Sequence, residues 1–425
     1  KKLMFSKIKK VSKNTNLTQK IILILFAAFP ISFILGNLII NVFILSIGLL
    51  FAFYVIKNKK YEELDHKIFY LLCFFLISLL INLIFSNNIE LSSPRVLKFI
   101  FIIFFIFAFK NLIKINSYYF ENIILKIWLL VLFVVIVDLI YESYTGYNSL
   151  GFISYMPGRL AGFFKDELVV GGYLSAFSLI ILAFIHNNLK NKNFSILFFL
   201  LVIFISFIIG ERSNFIKTVI ILTIFFSAVS NLNIKIKILT LIFIPIALLT
   251  ILTSDICKGN KPCNSYNIRF IGQTSEIFKK DGIKKYLKKS TYGAHYNTAK
   301  EIFKDNLIFG VGIKNFRVES SKKKYENKDY ELTELRWGTH PHQIHYELLS
   351  ETGLVGYVSF LIFLMSSVYL AIINYLKYRN FYQLSGILFV LISALPLLPS
   401  GSFFSTFSSS LFWMNYALMV GYIKR

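Results

Sequence analysis

The sequence is short of charged residues and of cysteines, and each shortage excludes a class of protein. Charged residues make up 16% of the 425 positions, whereas a soluble domain carries about 25%. A soluble multidomain enzyme is therefore excluded. Three cysteines in the whole chain cannot support a disulfide-stabilised fold. An apolar content of 56% excludes a disordered chain.

Long apolar runs are what the sequence has instead, and they predict an all-α polytopic membrane protein. A spanning helix needs about 20 mostly apolar residues, and about twelve runs approach that length. The predicted spans are residues 20–36, 37–56, 68–86, 95–110, 123–142, 167–186, 194–210, 213–230, 234–252, 353–374, 382–399 and 403–423. The first run is interpreted as a retained span because it has no convincing cleavage site. The alternative for the first two runs is one re-entrant hairpin.

Basic residues flank the apolar runs and predict the orientation of the chain. Lys and Arg outnumber Asp and Glu by 46 to 22, but they form no single stripe of the kind that binds nucleic acid. The bias of basic residues toward cytoplasmic loops predicts that both termini are cytoplasmic. Residues 253–352 then form a folded subdomain on the outer side, between transmembrane bundles at residues 1–252 and 353–425.

Cysteine positions allow one disulfide in this outer subdomain. Cys257 and Cys263 are separated by five residues, and an oxidising compartment favours a bond between them. The alternative is two free thiols. Cys73 lies within a predicted span and is interpreted as a packing residue.

Few ionisable residues lie near the middle of the predicted spans, which weighs against a proton- or ion-coupled transporter. Only 8 of the 46 basic residues are Arg. The predicted topology places six of them on the outer side: Arg95, Arg159, Arg212, Arg269, Arg317 and Arg336. Because guanidinium grips phosphate or carboxylate with paired hydrogen bonds, this distribution predicts an outer-face site for a phosphorylated or otherwise anionic ligand. The alternative is that these arginines pair with acids of the loops.

Two arginines lie in sequence contexts that favour function. Arg212 occupies a minimal turn between two apolar runs, where Ser213 or Asn214 is expected to cap the next helix and to leave Arg212 beside its positive end. Arg95 resembles it, since Ser92-Ser93-Pro94 is interpreted as a helix start. Arg159 is surrounded by glycines and aromatics and is followed by Asp166 and Glu167. The alternative role of these two acids is to favour a helix N-terminus electrostatically.

Three of the six histidines are clustered at His340, His342 and His345. Pro341 is expected in the first turn of a helix, so His342 lies beside the positive helix end, which disfavours imidazolium. A neutral imidazole near a hydroxyl is a competent general base. The alternatives are a structural histidine and a zinc ligand, but no supporting Cys or acid strengthens a metal site.

These segments together resemble the bacterial O-antigen ligase and O-antigen polymerase superfamily. The sequence T-H-P-H-Q-I-H-Y-E-L-L-S-E-T-G-L-V-G at residues 339–356 resembles the hallmark segment that follows the large periplasmic loop in that family. The sequence D-N-L-I-F-G-V-G-I-K-N-F-R at residues 305–317 is similar to the family's loop motif. The turn G-E-R-S at residues 210–213 resembles its G-x-R-S turn, and residues 159–167 resemble a motif of one branch.

The resemblance implies an inverting, metal-independent glycosyltransferase of the GT-C type that uses no cofactor. It implies a glycan donor on undecaprenyl diphosphate, with Arg212 and a loop arginine neutralising the leaving diphosphate and His342 activating the acceptor hydroxyl. Gln343 stands where the family usually has Asn. His295-Tyr296-Asn297 stands where it often has Arg, so Arg269 or Arg317 is expected to take that role. The other expected substrate contacts are Arg95, Arg159, Asp166, Glu167, His295 and His340.

The expected protein is therefore a multi-pass enzyme of the bacterial inner membrane that contacts membrane lipids. O-antigen polymerase is slightly preferred, and the alternative is a ligase that transfers the glycan to lipid A–core. From a different class, a polysaccharide or lipid transporter is the further alternative. No nucleic-acid partner is expected.

Overall fold

A computed structural model describes residues 16–165, 167–189, 191, 193–229, 282–396 and 398–424. The α-helices of these residues are α1 (Leu17–Leu35), α2 (Asn37–Lys57), α3 (Lys67–Ile84), α4 (Ile89–Tyr119), α5 (Leu125–Thr145), α6 (Val170–Asn188), α7 (Asn193–Ile208), α8 (Arg212–Val229), α9 (Gly282–Lys289), α10 (Thr291–Asp305), α11 (Phe316–Glu319), α12 (Ile344–Tyr378), α13 (Phe381–Ser393) and α14 (Thr406–Gly421). A π-helix, Phe120–Ile124, joins α4 to α5.

The helices agree with an all-α polytopic membrane protein, and that prediction is confirmed. Seven helical segments of the described residues are long and apolar enough to cross a membrane, by length and composition. Helices α7 and α13 are shorter but apolar. Of the predicted spans, residues 234–252 lie outside the described residues. The total of about twelve spans stays a prediction.

The connection between α4 and α5 contains no loop, although the predicted spans 95–110 and 123–142 leave a gap there; helix Ile89–Tyr119 continues directly into the π-helix Phe120–Ile124. The helical path breaks at Asn116, whose φ of −136° and ψ of 40° are not helical. Phe26 shows that the chain reverses here: its ring lies 5.2 Å from that of Phe109 in α4, and its carbonyl accepts a hydrogen bond of 2.9 Å from Trp128 in α5. Two antiparallel helices thus meet in a helical corner, where a backbone break and a π-turn replace a loop.

Helix α4 begins earlier than the sequence predicts. Asn88 caps it, because its side chain accepts hydrogen bonds from the N–H groups of Glu90 and Leu91 at 3.0 and 3.3 Å. Pro94 therefore lies inside the helix, and the prediction that Ser92-Ser93-Pro94 starts it is wrong. Arg95 accordingly lies in the second turn of the helix.

Helix α12 also begins before its predicted span, and it is broken at Gly353. Its cap is Gln343, whose side chain accepts hydrogen bonds from the N–H groups of His345 and Tyr346. Gly353 has φ 63° and ψ −166°, a conformation that is essentially restricted to glycine. The break separates the first turns of α12, Ile344–Thr352, from the long apolar part that follows.

The broken turn of α12 binds the loop that precedes α11. The N–H groups of Val311 and Gly312 donate to the carbonyls of Ser350 and Glu351 at 3.0 and 2.8 Å. In the opposite direction, the N–H of Leu354 donates to the carbonyl of Leu307 at 2.8 Å. Val355 makes the same kind of bond to Ile308 at 3.1 Å. Backbone groups freed by the break are thereby satisfied, as buried backbone groups must be.

The chain divides into two compact units, and the predicted domain boundaries stay a prediction. Unit 1 comprises residues 1–132, 298–325 and 337–425, and unit 2 comprises residues 133–297 and 326–336. The described residues of the predicted outer subdomain therefore belong to both units. Unit 1 contains His342, and unit 2 contains Arg212.

Replacing Gly353 with alanine is expected to destabilise the protein strongly. The backbone conformation would be strained by about 1–3 kcal/mol, and the new Cβ would collide with the carbonyl oxygen of Ile308. Gly146→Ala is the matched control, because Gly146 also has a positive φ, 85°, but a Cβ there would meet no atom within 4 Å. We expect a larger loss of melting temperature in detergent for Gly353→Ala than for the control. Equal losses would contradict the proposed docking at the break.

Candidate active site

His342 lies just before α12 and has an unusual backbone conformation. Its φ is 56°, in the left-handed region that non-glycine residues rarely adopt. The prediction that Pro341 and His342 occupy the first turn of the helix is wrong, because Gln343 is the cap and the helix begins at Ile344. The His342 ring lies 4.2 Å from the ring of His340, centroid to centroid. Thr339 hydrogen-bonds the His340 ring at 2.9 Å.

His345 has a structural role in the first turn of α12. Its Nε2 donates to the carbonyl of Ala394 at 2.7 Å, because a carbonyl can only accept. Its Nδ1 lies 3.0 Å from the hydroxyl of Tyr357, which donates to it when Nε2 carries the hydrogen. Both ring nitrogens are therefore engaged within the protein.

A buried lysine and a buried glutamate connect the loop before α11 to the segment before α14. Lys314, Glu347 and Ser402 are 3%, 0% and 2% exposed. The Lys314 Nζ donates to the Ser402 hydroxyl at 2.5 Å and lies 3.9 Å from the Glu347 carboxylate. That carboxylate accepts hydrogen bonds from Ser402 Oγ and from Phe403 N–H at 2.5 and 2.7 Å. A buried charge tolerates burial when it is paired and hydrogen-bonded in this way.

Glu351, one turn after Glu347, holds the loop before α11 by its backbone. Its carboxylate is fully buried and accepts hydrogen bonds from the N–H groups of Lys314 and Phe316 at 2.8 and 3.3 Å. Lys314 has φ 64°, so this side chain stabilises a loop conformation that lysine alone disfavours. The loop therefore depends on α12 through both the backbone and the side chain of Glu351.

Three basic side chains lie close together near this loop. The guanidinium of Arg95 is within electrostatic range of Arg317, and Lys98, one turn along α4, is within range of Arg95. All three are half-buried, and the Nε of Arg317 makes no hydrogen bond. Within the described part of the chain, no acid forms an ion pair with any of them. Glu351 lies within electrostatic range of Arg95 without forming an ion pair with it. Half-buried cations that repel one another and form no ion pair favour binding of an anion.

Unit 2 brings together Arg159 and the turn that carries Arg212. Arg159 forms an ion pair of 3.2 Å with Glu211 and donates to the carbonyl of Leu168 at 3.0 Å. Arg159 therefore fits the alternative given for the outer arginines, in which they pair with acids of the loops. Arg212 is the first residue of α8, so the expectation that Ser213 or Asn214 caps this helix is wrong. Among the described residues Arg212 forms no ion pair.

Tyr292 at the start of α10 lies close to the same turn. Burial raises the pKa of its phenol, and the negative charge of Glu211 raises that pKa further. Arg159 and Arg212 act in the opposite direction on the same pKa. Tyr292 therefore lies within electrostatic range of both arginines and of Glu211, all within unit 2.

Buried acids of α5 organise the long loop between α5 and α6. The Glu142 carboxylate accepts hydrogen bonds from the N–H groups of Ala161 and Gly162, the shortest at 2.6 Å. Asp138 accepts one of 2.8 Å from the N–H of Ser149. Glu167 is exposed just before α6, which is its expected position before a helix. Asp138 is itself buried, at 3% exposed.

His295 in α10 connects to another part of unit 2. Its Nε2 donates to the carbonyl of Leu335 at 3.0 Å, and the residue is 4% exposed. Burial lowers the pKa of His295, and the Leu335 carbonyl opposes that shift only in part. Nearby, Arg336 donates to the carbonyl of Thr333 at 3.1 Å. These contacts favour a structural role for His295 over the predicted substrate contact.

Some predicted site residues fall outside the described residues. Arg269, Asp166, Cys257 and Cys263 all do so, and the predicted roles of these residues and the predicted disulfide stay predictions. Arg95, Arg317, His340 and His342 all belong to unit 1. Arg95 is within electrostatic range of Arg317, and the rings of His340 and His342 are in contact.

Comparison with known families gives one match. Residues 168–361 match a family model described as O-antigen ligase. This part of the chain is similar to the O-antigen ligase and polymerase superfamily. This confirms the resemblance found in the sequence. No curated protein matches the chain.

The part that matches the O-antigen ligase family contains only some of the residues described above. Arg212, Arg317 and His342 lie within it, whereas Arg95 and Ser402 lie outside residues 168–361. Sequence reasoning missed Lys314, Glu347 and Glu351. The available signal was a pair of acids four residues apart, on one helix face, directly after the histidine cluster.

The structural role of His295 predicts a pH-dependent stability. The pKa of His295 in the folded state lies below the unfolded value of about 6.5, so the folded state favours neutral imidazole. The contribution of His295 to the free energy of unfolding is therefore complete above about pH 6.5 and decreases as the pH falls. The loss is at most about 1.4 kcal/mol per pH unit. We expect the melting temperature of His295→Gln, whose amide can still donate to Leu335, to fall less than that of the wild type between pH 7.5 and 5. Parallel curves would contradict this.

Proposed function

We propose that this protein moves a glycan from undecaprenyl diphosphate to an acceptor hydroxyl at the periplasmic face of the bacterial inner membrane. The superfamily indicates a glycosyl-transferring membrane enzyme. The observation that carries the finer proposal lies in unit 1, where His342 and the half-buried cations Arg95, Lys98 and Arg317 are parts of one compact body. The proposed orientation places both termini in the cytoplasm.

The cation cluster supports a diphosphate leaving group. When the bond between the anomeric carbon and the diphosphate oxygen breaks, negative charge develops on the diphosphate. Fixed positive charges stabilise that charge more strongly in a partly buried site than in water. Arg95 and Arg317 form no ion pair among the described residues, so an arriving diphosphate displaces no existing ion pair. Arg317 takes the role that the resemblance gives to a loop arginine.

The conformation of His342 supports a role as general base. Strained non-glycine residues persist where the surrounding structure over-determines them, and they are frequent at active sites. In the proposed step the imidazole accepts the proton of the acceptor hydroxyl, the hydroxyl oxygen forms a bond to the anomeric carbon, and the diphosphate leaves with the bonding electron pair. A single displacement of this kind inverts the anomeric configuration. The proposed reaction requires no metal ion.

Within unit 2, Arg212 is proposed as a group that binds diphosphate. Its guanidinium sits at the first residue of α8, where the positive helix end also favours an anion. Arg159 is proposed to orient this turn, because its partner Glu211 is the residue before Arg212. His340, which contacts His342, is proposed to border the acceptor.

The slight preference is for a polymerase, which joins lipid-linked repeats, and the alternative is a ligase that uses lipid A–core as acceptor. A polysaccharide or lipid transporter remains the candidate from another class. The unpaired cations of unit 1 favour the enzyme, because a transporter does not need to stabilise charge that develops during bond cleavage.

Replacing Arg212 with lysine is expected to leave the protein folded but to reduce transfer by at least about 10-fold, because an ammonium group cannot form the paired hydrogen bonds of guanidinium. Arg379→Lys is the matched control, because Arg379 is exposed and its guanidinium lies over the Tyr375 ring. Transfer is measured with purified lipid-linked glycan in membranes. Wild-type transfer by Arg212→Lys would defeat the assignment of Arg212.

Deletion of the gene is expected to change the surface polysaccharide, and the pattern on a gel decides between the proposed functions. A polymerase leaves single repeats on the core, and a ligase leaves an unsubstituted core. An unchanged ladder would contradict both. Complementation with the Arg379→Lys gene is the control for expression.

A further inference from the structure

The segment between α13 and α14 contacts the His342 segment at several points, although residues 394–403 lie outside the residues that match the O-antigen ligase family. Ala394 accepts from His345, and the carbonyl of Pro396 accepts a bond of 3.0 Å from Gln343 Nε2. Further along, Ser402 and Phe403 donate to Glu347. The described residues of the connection from α13 to α14 therefore contact the start of α12 at several positions between residues 394 and 403.

Within this segment, Ser400 makes the two hydrogen bonds that lie nearest to His342. Its N–H donates to the carbonyl of His342 at 2.8 Å. Its Oγ accepts a hydrogen bond of 3.0 Å from the N–H of Ile344. One residue thus fixes the peptide group that follows His342 and the first N–H of the helix, on either side of Gln343.

These hydrogen bonds hold the backbone of His342 in its left-handed conformation. A left-handed conformation is unfavourable for a non-glycine residue, so the backbone at His342 relaxes unless other bonds hold it. A peptide group held at its carbonyl cannot rotate without breaking that bond. The direction of the imidazole follows from the backbone, because the rotamers open to a side chain depend on φ and ψ.

We propose that Ser400 is a positioning residue for His342: by bonding the chain on both sides of Gln343, it keeps the imidazole in the orientation needed to accept the proton of the acceptor hydroxyl. This inference rests on the proposed function, in which His342 is the base. Ser400 itself touches neither donor nor acceptor. It extends the active site to a segment that the family match does not include.

The test compares Ser400→Ala and Ser400→Thr with the wild type in full-length protein. Ser400→Ala removes the acceptor for the Ile344 N–H, whereas Ser400→Thr keeps a hydroxyl at the same position. A misplaced catalytic group costs up to about 100-fold in rate, so we expect kcat of Ser400→Ala to fall about 10- to 100-fold with KM for the lipid-linked donor unchanged. Ser400→Thr is expected to restore most of the rate.

Ser393→Ala is the matched control, because Ser393 is also half-buried and its hydroxyl donates only within α13, to the carbonyl of Phe389. It is expected to transfer at the wild-type rate. Equal rate losses in Ser393→Ala and Ser400→Ala, or a fall in melting temperature of Ser400→Ala large enough to account for its loss, would overturn the inference in favour of a purely structural role.

A double variant separates this inference from the proposed function. If Ser400 acts through His342, adding Ser400→Ala to His342→Ala causes no further loss, because residues that act as a unit are not additive. Inactive His342→Ala together with fully active Ser400→Ala overturns only the inference about Ser400. Fully active His342→Ala overturns the proposed function and the positioning role with it.

Discussion

The exchange of backbone hydrogen bonds at Gly353 is the constraint on which unit 1 depends. A continuous α12 would use its own carbonyls and N–H groups within the helix. The break at Gly353 offers those of Ser350, Glu351 and Leu354 to the loop before α11. Asn82 of α3 adds two bonds of 2.6 and 2.9 Å to the carbonyls of Phe309 and Glu351. A spanning helix, a neighbouring helix and a loop are thereby held in one arrangement at the place where the candidate site begins.

Buried acids and half-buried arginines have different tasks in this protein. Glu142, Glu347 and Glu351 each accept hydrogen bonds from backbone N–H groups of loops. Their carboxyl oxygens fix the conformation of the loops, and these hydrogen bonds compensate for the desolvation of a buried carboxyl group. Arg95 and Arg317 have no such partner among the described residues, so their charge is available to a ligand. The contacts of a charged side chain therefore separate structural residues from candidate binding residues more clearly than the residue type does.

The sequence predicted the spanning helices because the length of an apolar run is set by the membrane. It did not predict where α4 and α12 begin. The residues that cap them, Asn88 and Gln343, are of polar types that also occur in loops. The cluster that contains His342 was identified from residue types. The groups that hold it were not, because Ser400 and Ile344 are 56 positions apart and no local pattern joins them. Glu347 and Glu351 were visible in the motif, but their acceptors are set by tertiary contact.

Ser400 is synthesised after the residues that it contacts, His342 and Ile344. The ribosome completes the histidine segment before the residues that restrain it, and domains generally fold from the N-terminal side during synthesis. If Ser400 positions His342 as proposed, this arrangement forms only after the connection to the final helix, Thr406–Gly421, has been made. A chain that ends before residue 394 then contains every residue of the matched family segment but lacks the residue that bonds the chain on both sides of Gln343.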